Sequence, residues 1–243
     1  MTNSLIYVSD TAAGTITKYH PDGCSRIVAS GLAGPTGLVL DCDGRLLYAA
    51  VTGSILKYDA AGNSAVFVNG LNGPGGLALD ANGNLFVATK GDGTIRRYDP
   101  AGHGVSFATG LQFDVSYLTF DQGGNLYAST THSVKKCDEK GIVSQFYPPA
   151  GPSQNYTYGV TFDCSGRLFV SLQNAGAIAG LNGGGIIPPV TPLNFFPGGI
   201  ALDGENGYLY AACGTTLNRY EMSGTGQVFA SGFSSARYLA VFS

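Results

Sequence analysis

Short apolar runs alternate along the whole chain with turns built from Gly, Asn, Asp and Pro, and no window sustains the i, i+3, i+4, i+7 stripe of an amphipathic helix. The runs repeat. Gly37-Leu38-Val39-Leu40-Asp41, Gly76-Leu77-Ala78-Leu79-Asp80, Tyr117-Leu118-Thr119-Phe120-Asp121, Gly159-Val160-Thr161-Phe162-Asp163 and Gly199-Ile200-Ala201-Leu202-Asp203 align, with 39, 41, 42 and 40 residues between successive aspartates. After each comes a Gly-bearing turn and an apolar–aromatic pair: Leu47-Tyr48, Leu85-Phe86, Leu126-Tyr127, Leu168-Phe169 and Leu209-Tyr210. A third run ends in an acidic turn, as in Ile55-Leu56-Lys57-Tyr58-Asp59 and Ile95-Arg96-Arg97-Tyr98-Asp99, and a fourth follows, as in Val105-Ser106-Phe107-Ala108. Four strands in each ~40-residue repeat is the pattern of a propeller blade. The strands are named A to D from the axis outward. Blades pack face to face, which explains apolar residues on both sides of strand A.

The ends of the chain supply the count. Residues 5–30 carry strands B, C and D but no A, and Tyr238-Leu239-Ala240-Val241-Phe242 is an A strand with nothing after it. The sequence therefore predicts one domain over residues 1–243: an all-β, six-bladed propeller of four-stranded antiparallel blades. Its ring is closed by the C-terminal strand joining the N-terminal blade.

Composition narrows the function. Only 12% of the residues are Asp, Glu, Lys or Arg, and the net charge is −3 without a run of either sign. A nucleic-acid binder needs a basic stripe and an anionic-membrane binder a polybasic patch, so neither partner is expected. No apolar segment approaches 18 residues and no leader pattern opens the chain, so a globular body is expected, as a monomer.

The segments Gly34-Pro35-Thr36-Gly37-Leu38, Gly73-Pro74-Gly75-Gly76-Leu77, Tyr7-Val8-Ser9-Asp10 and Lys57-Tyr58-Asp59-Ala60-Ala61-Gly62 resemble the repeats of NHL-type propellers. They are similar too to those of the related regucalcin/gluconolactonase and strictosidine synthase-like proteins. The resemblance spans essentially the whole chain. It implies a six-bladed fold with ligand sites around the axial mouth, on the face formed by the D-to-A and B-to-C loops. It does not fix the function, because propellers host hydrolases, lyases and binding modules alike.

On that face the D-to-A loops bring in Asp114, Asn155, Tyr156, Tyr158, Phe195, Phe196, Phe233 and Arg237. The B-to-C loops bring in Asp10, Lys90, Asp92, His132 and Gln173. Where strand A begins, most blades carry Gly, but bulky residues stand at Tyr117, Tyr158, Arg237 and Tyr238. A mouth ringed by Asp114, Tyr117, His132, Tyr158, Arg237 and Tyr238 suits a small polar or anionic molecule, a glycan or a peptide. The alternative is structural, with Arg237 and Asp114 as an ion pair and the tyrosines plugging the channel. A protein-interaction platform would instead show a contiguous apolar patch, with Phe113, Phe195, Phe196 and Phe233 as candidates.

The resemblance also implies a divalent cation held by a glutamate together with Asn and Asp. Here Glu139, Glu205 and Glu221 all fall in turns of the opposite face, and Thr36 or Gly75 stands where the family carries the amide. No metal and no cofactor are therefore expected, no catalytic residue is assigned, and a binding scaffold is the leading reading. A metal-dependent lactonase-type hydrolase, or a lyase with an altered site, is the alternative.

The repeated Asp41-Cys42-Asp43-Gly44, Asp80-Ala81-Asn82-Gly83 and Asp121-Gln122-Gly123-Gly124 read as turn-forming aspartates, since no closing glutamate completes a calcium loop. Cys24 and Cys42, and likewise Cys137 and Cys164, share a blade-to-next-blade relation on the opposite face. They stand either as two disulfides, which would imply an extracellular or periplasmic setting, or as free thiols. Cys213 reads as a small buried hydrophobe.

Overall fold

The computed structural model describes residues 4–111, 115–147, 156–182, 185–192, 196–222 and 225–242, with backbone alone at 182 and 185–192. It is all β-structure. The chain opens with β1 (Leu5–Asp10), β2 (Thr15–Tyr19) and β3 (Ser25–Ala29). Four repeats follow. The first is β4 (Leu38–Leu40), β5 (Leu47–Val51), β6 (Ser54–Tyr58) and β7 (Ser64–Asn69). The second is β8 (Pro74–Leu79), β9 (Leu85–Thr89), β10 (Thr94–Tyr98) and β11 (Gly104–Ala108). The third is β12 (Tyr117–Phe120), β13 (Leu126–Thr130), β14 (Ser133–Cys137) and β15 (Val143–Tyr147). The fourth is β16 (Thr157–Phe162), β17 (Leu168–Leu172), β18 (Ala177–Asn182) and β19 (Gly185–Pro192). The chain ends with β20 (Ile200–Asp203), β21 (Tyr208–Glu221) and β22 (Gly226–Phe242).

Each of the four repeats is a four-stranded antiparallel blade in sequential order. The remaining strands form one sheet of six, β20-β21-β22-β1-β2-β3. Five sheets thus stand where six separate blades are predicted, because one unbroken ladder carries both ends of the chain. The two long strands change partner along their length. β21 pairs with β20 through Tyr208–Ala211 and with β22 from Gly214 onward. It doubles back: Asn218 Nδ2 lies 3.7 Å from Cys213 Sγ, whereas five residues of straight strand span about 16 Å. Gly214, at φ 71°, makes the bend. β22 pairs with β21 through Gly226–Ser231 and with β1 through Ala236–Phe242, with Gly232 at φ 92° between.

Burial runs from the axis outward. The second strand of each four-stranded blade (β5, β9, β13, β17) is buried at every position, since both faces pack on neighbouring sheets. The outermost strands β3, β7 and β11 begin exposed. Buried side chains of Val, Leu, Ile and Phe stabilise by about 1.5–3 kcal/mol each. The glycine that opens the inner strands has a packing cause. A Cβ on Gly37 would stand 2.0 Å from the carbonyl oxygen of Gly75, and one on Gly76 would stand 2.6 Å from Tyr117 Cα. Neighbouring inner strands approach too closely for any other residue. Buried serines link the blades: Ser9 Oγ donates to Thr36 O at 2.9 Å and Ser171 Oγ to Gly198 O at 2.7 Å.

Head and tail are joined by more than the ladder. The register runs from Leu5↔Phe242 to Ser9↔Tyr238. The Asp10 carboxylate accepts the backbone N–H groups of Ser234 (2.6 Å), Ser235 (2.8 Å) and Ala13 (3.0 Å). Ser4 Oγ donates to Asp203 at 3.0 Å, and Asn206 Nδ2 reaches both Ser4 Oγ (2.9 Å) and Asp203 (2.8 Å). Deleting residues 238–243 leaves β1 an unpaired edge and uncovers Ile6 and Val8, both fully buried. The truncated chain is expected to lose its cooperative thermal transition in calorimetry; a melt matching the full chain would refute this role for the tail.

Candidate functional site

A cavity of about 350 Å³ runs between the inner strands, walled by Val39, Ala78, Thr119, Thr161, Ala201 and Ala240. Tyr117 and Tyr238 stop one end of it. Their rings stack with centroids 4.6 Å apart and planes 8° from parallel. Tyr158 leans on both, at 5.6 and 5.7 Å. This arrangement explains why two inner strands open with Tyr and the others with Gly. A Cβ on Gly199 would lie 1.6 Å from Tyr117 Oη, so the rings occupy the space that the glycines leave.

The hydroxyl groups are tied together. Tyr117 Oη donates to the Arg237 carbonyl at 2.9 Å, and Tyr158 Oη donates to Tyr238 Oη at 3.2 Å. Lys90 Nζ donates to the same Tyr238 oxygen at 2.9 Å and sits 5.6 and 5.9 Å from the centroids of the Tyr238 and Tyr158 rings. Such an ammonium is held by ring quadrupoles as well as by its hydrogen bond. Burial pushes the Tyr238 phenol up to about 12 and lifts Tyr158 and Tyr117 well above the ordinary phenol value.

Above this layer opens a cleft of about 280 Å³ lined by Tyr158, Gln173, Phe196, Ser234 and Arg237. Arg237 is exposed, its Nε donating to Ser235 Oγ at 3.1 Å. Among the described residues it forms no ion pair.

The sequence-derived site residues thus separate. Tyr158 and Arg237 line the cleft, and Tyr117 and Tyr238 lie beneath it as the plug of the alternative reading. His132 is exposed and stacks on Tyr156 at 4.9 Å instead of lining the cleft. Asp114, and with it the proposed Arg237–Asp114 pair, lies outside the described residues, as do Asn155, Phe113 and Phe195. Phe196 is 73% exposed, whereas Phe233 packs against Tyr19 at 6.1 Å; the other large exposed apolar residues include Ile27, Val66 and Val105, each on a different outer strand. Lys90 is the residue that sequence reasoning left as an ordinary loop position. Gly75 was its signal, because the lysine stem lies 2.6 Å from where a Gly75 Cβ would be.

Among the described residues the mouth gathers no ligand set for a divalent cation; Asp114 and Asn155 lie outside them. A hard cation takes six to eight oxygen ligands, mostly carboxylate and carbonyl. Among the described residues no three His, Cys, Asp or Glu side chains gather in one place. Glu139 and Glu221 line crevices on the opposite face. Asp10 is consumed by backbone amides, and the charge held at the axis is the ammonium of Lys90.

Elsewhere the repeated aspartates serve as turn anchors. Asp41, Asp80, Asp121 and Asp163 each accept the N–H four residues on, at 2.7–2.8 Å. The two predicted disulfides, Cys24–Cys42 and Cys137–Cys164, are not formed; all five cysteines are free. Cys137 packs in the core with Phe86 and Leu126, while Cys164 lies exposed in its turn. Burial pushes the Cys137 and Cys213 thiols up to about 11 and about 12. No helix among the described residues is long and apolar enough to cross a membrane.

A family model for the SMP-30/Gluconolactonase/LRE-like region matches residues 2–132. Among solved structures, a chain of the nidogen/laminin complex superposes with a TM-score of 0.87 at 16% identity, covering 99% of this chain and 98% of that one. A gluconolactonase from Xanthomonas campestris gives 0.76 at 15% identity, covering 98% and 88%. Streptogramin B lyase gives 0.73 at 17%, covering 96% and 82%. Comparison with the curated proteins gives no match by sequence.

The tyrosine layer has a pH signature. A phenol whose native pKa is raised keeps its proton where the unfolded chain has released it. The stability it contributes is therefore whole below the unfolded value of 10.0 and falls as pH rises toward about 12. Replacing Tyr238 with Phe should flatten the decline in denaturation midpoint above pH 10.0; an unchanged slope would contradict the burial of this phenol.

Proposed function

The chain belongs to the SMP-30/gluconolactonase/LRE-like family, and from the geometry of its cleft we propose that it is a recognition scaffold. It binds a small anionic molecule, a sugar acid or an acidic peptide end in the cleft above the tyrosine layer. The architectural reading beneath this is a six-bladed ring. If β21 and β22 are each taken as two arms, the six-stranded sheet becomes two blades of four, linked where β22 passes from its pairing with β21 to its pairing with β1. The change of partners at Gly214 and Gly232 supports that reading.

The observation that carries the function is the exposed guanidinium of Arg237, without an ion pair among the described residues, in a cleft shared with Phe196, Tyr158 and Gln173. A guanidinium presents a fork of N–H donors matched to a carboxylate. The neighbouring rings offer flat apolar surface to the rest of the ligand, and Gln173 and Ser234 offer hydrogen-bonding groups to its hydroxyls. Lys90 stiffens the floor through Tyr238 and adds positive potential from below. The reading keeps Asp114 and His132 as sequence-derived candidates for ligand contact.

The lactonase or lyase alternative is favoured by the family and by the gluconolactonase and lyase neighbours. It requires a general base at the mouth, for which Asp114 and His132 are the candidates. A lactone-hydrolysis assay with and without added divalent cations separates the two: turnover that rises with the metal and is removed by chelation would establish the enzyme. The scaffold predicts none.

Arg237→Ala is expected to weaken binding of an acidic ligand, taken from a panel of sugar acids screened by calorimetry, by at least tenfold. The melting temperature should change little, since the side chain is exposed. A large loss of stability with unaltered binding would instead make Arg237 a structural residue.

A further inference from the structure

On the face opposite the cleft, the crevices beside the third strands can be compared with one another. In the gap between the β8–β11 and β12–β15 blades, the crevice is lined by Arg97 from β10 and by Glu139 from the next blade's turn. In the pocket beside β21 and β22, Arg219 stands with Glu221. In both, carboxylates at least match the single cation: Asp80, Asp121 and Glu139 line the first, and Glu221, from the same strand as Arg219, lines the second.

The gap between β1–β3 and the β4–β7 blade breaks the pattern. Its pocket, about 90 Å³, is lined by Lys18, Arg26 and Arg45 together with Tyr7. Lys18 takes the place of Arg97, and Ala60 takes the place of Glu139. Arg45 stands where the turn of the β12–β15 blade has Asn125. The outermost strand differs as well. Arg26 lies directly opposite Lys18, whereas the matching partners of Lys57, Arg97, Lys136 and Arg219 are Ala65, Val105, Ser144 and Gln227. Like charges placed opposite each other across strands are destabilising, so the fold itself does not call for Arg26.

Three cations and one carboxylate line the pocket, an excess of positive charge. Among the described residues none of the three cations forms an ion pair. Asp59 also lines the pocket, but its carboxylate accepts the backbone and side-chain N–H groups of Asn63 at 2.8 and 2.9 Å. Burial first, and then the charge of Arg26, lowers the Lys18 pKa, which is the cost expected of an ammonium kept beside another cation.

We propose that Lys18, Arg26 and Arg45 form a binding site for a single tetrahedral oxyanion, phosphate or a phosphate monoester, which ties the first blade to the second. The size agrees: the pocket has room for about three water molecules, enough for one such group and too small for a nucleotide. Two guanidinium forks and an ammonium satisfy its oxygens by charge-assisted hydrogen bonds. An anion that bridges two blades binds only the folded chain and therefore raises the melting temperature.

The test is calorimetric titration and thermal melting of the full chain with inorganic phosphate and with a sugar phosphate, against chloride at matched ionic strength. The wild type should be stabilised by phosphate beyond chloride. Arg26→Ala and Arg45→Ala should each lose at least tenfold in affinity, while Arg97→Ala, in the control crevice, keeps it. Without phosphate, Arg26→Ala should melt at or above the wild-type temperature, because a repulsion has been removed. Equal affinity for the two ligands assigns the site to the free ion, and tighter binding of the ester assigns it to a phosphorylated molecule. Stabilisation no greater than chloride gives, or an equal loss in Arg97→Ala, overturns the proposal.

Discussion

The ladder between Ala236–Phe242 and β1 is the interaction on which the rest of the molecule depends. It joins residues more than two hundred positions apart, such as Leu5 and Phe242, yet the entropy of closing a long loop grows only logarithmically with its length. The ladder's return is large by comparison: it covers Ile6 and Val8 and gives Asp10 the amide partners that its buried charge requires. It also builds the site. Tyr238 reaches the axis only because its strand lies beside β1, and Arg237 stands over the cleft for the same reason. The head-to-tail joint and the candidate site therefore share one strand.

The axial face and the opposite face solve different electrostatic problems. At the axis, hydroxyl groups and aromatic rings hold the Lys90 ammonium, so the charge there is part of the chain. On the opposite face, the crevice between the β8–β11 and β12–β15 blades sets Arg97 of the third strand against Glu139 of the neighbouring turn. The crevice beside β1–β3 lacks that balance and collects Lys18, Arg26 and Arg45. In a chain with net charge −3 and only 13 basic residues, such a gathering is local design and not excess basicity.

Much of the fold was legible because it is written several times. The recurring Gly-apolar-Asp runs gave the inner strands, and each aspartate proved to anchor its own turn. The number of sheets was less legible, since β21 and β22 change partner at Gly214 and Gly232 within one continuous six-stranded sheet. In the site, the bulky exceptions Tyr117, Tyr158 and Tyr238 were visible as departures from Gly, although two of them serve as the floor. Lys90 was hidden, because its role depends on a long flexible stem reaching past the β4–β7 blade to Tyr238 on β22. The cysteines show the same limit. Spacing placed Cys137 and Cys164 on one side of the ring but could not reveal that the Cys137 side chain turns into the core.

Native-state hydrogen exchange measures the head-to-tail joint directly, without altering a residue. If that ladder holds the molecule together, the amides of Leu239, Val241, Ile6 and Val8 exchange only through global unfolding, at the same free energy as those of β9 and β13. Exchange of the 236–242 amides at a markedly lower free energy, with β9 and β13 still protected, would show a fraying tail on an otherwise independent fold and would contradict the account.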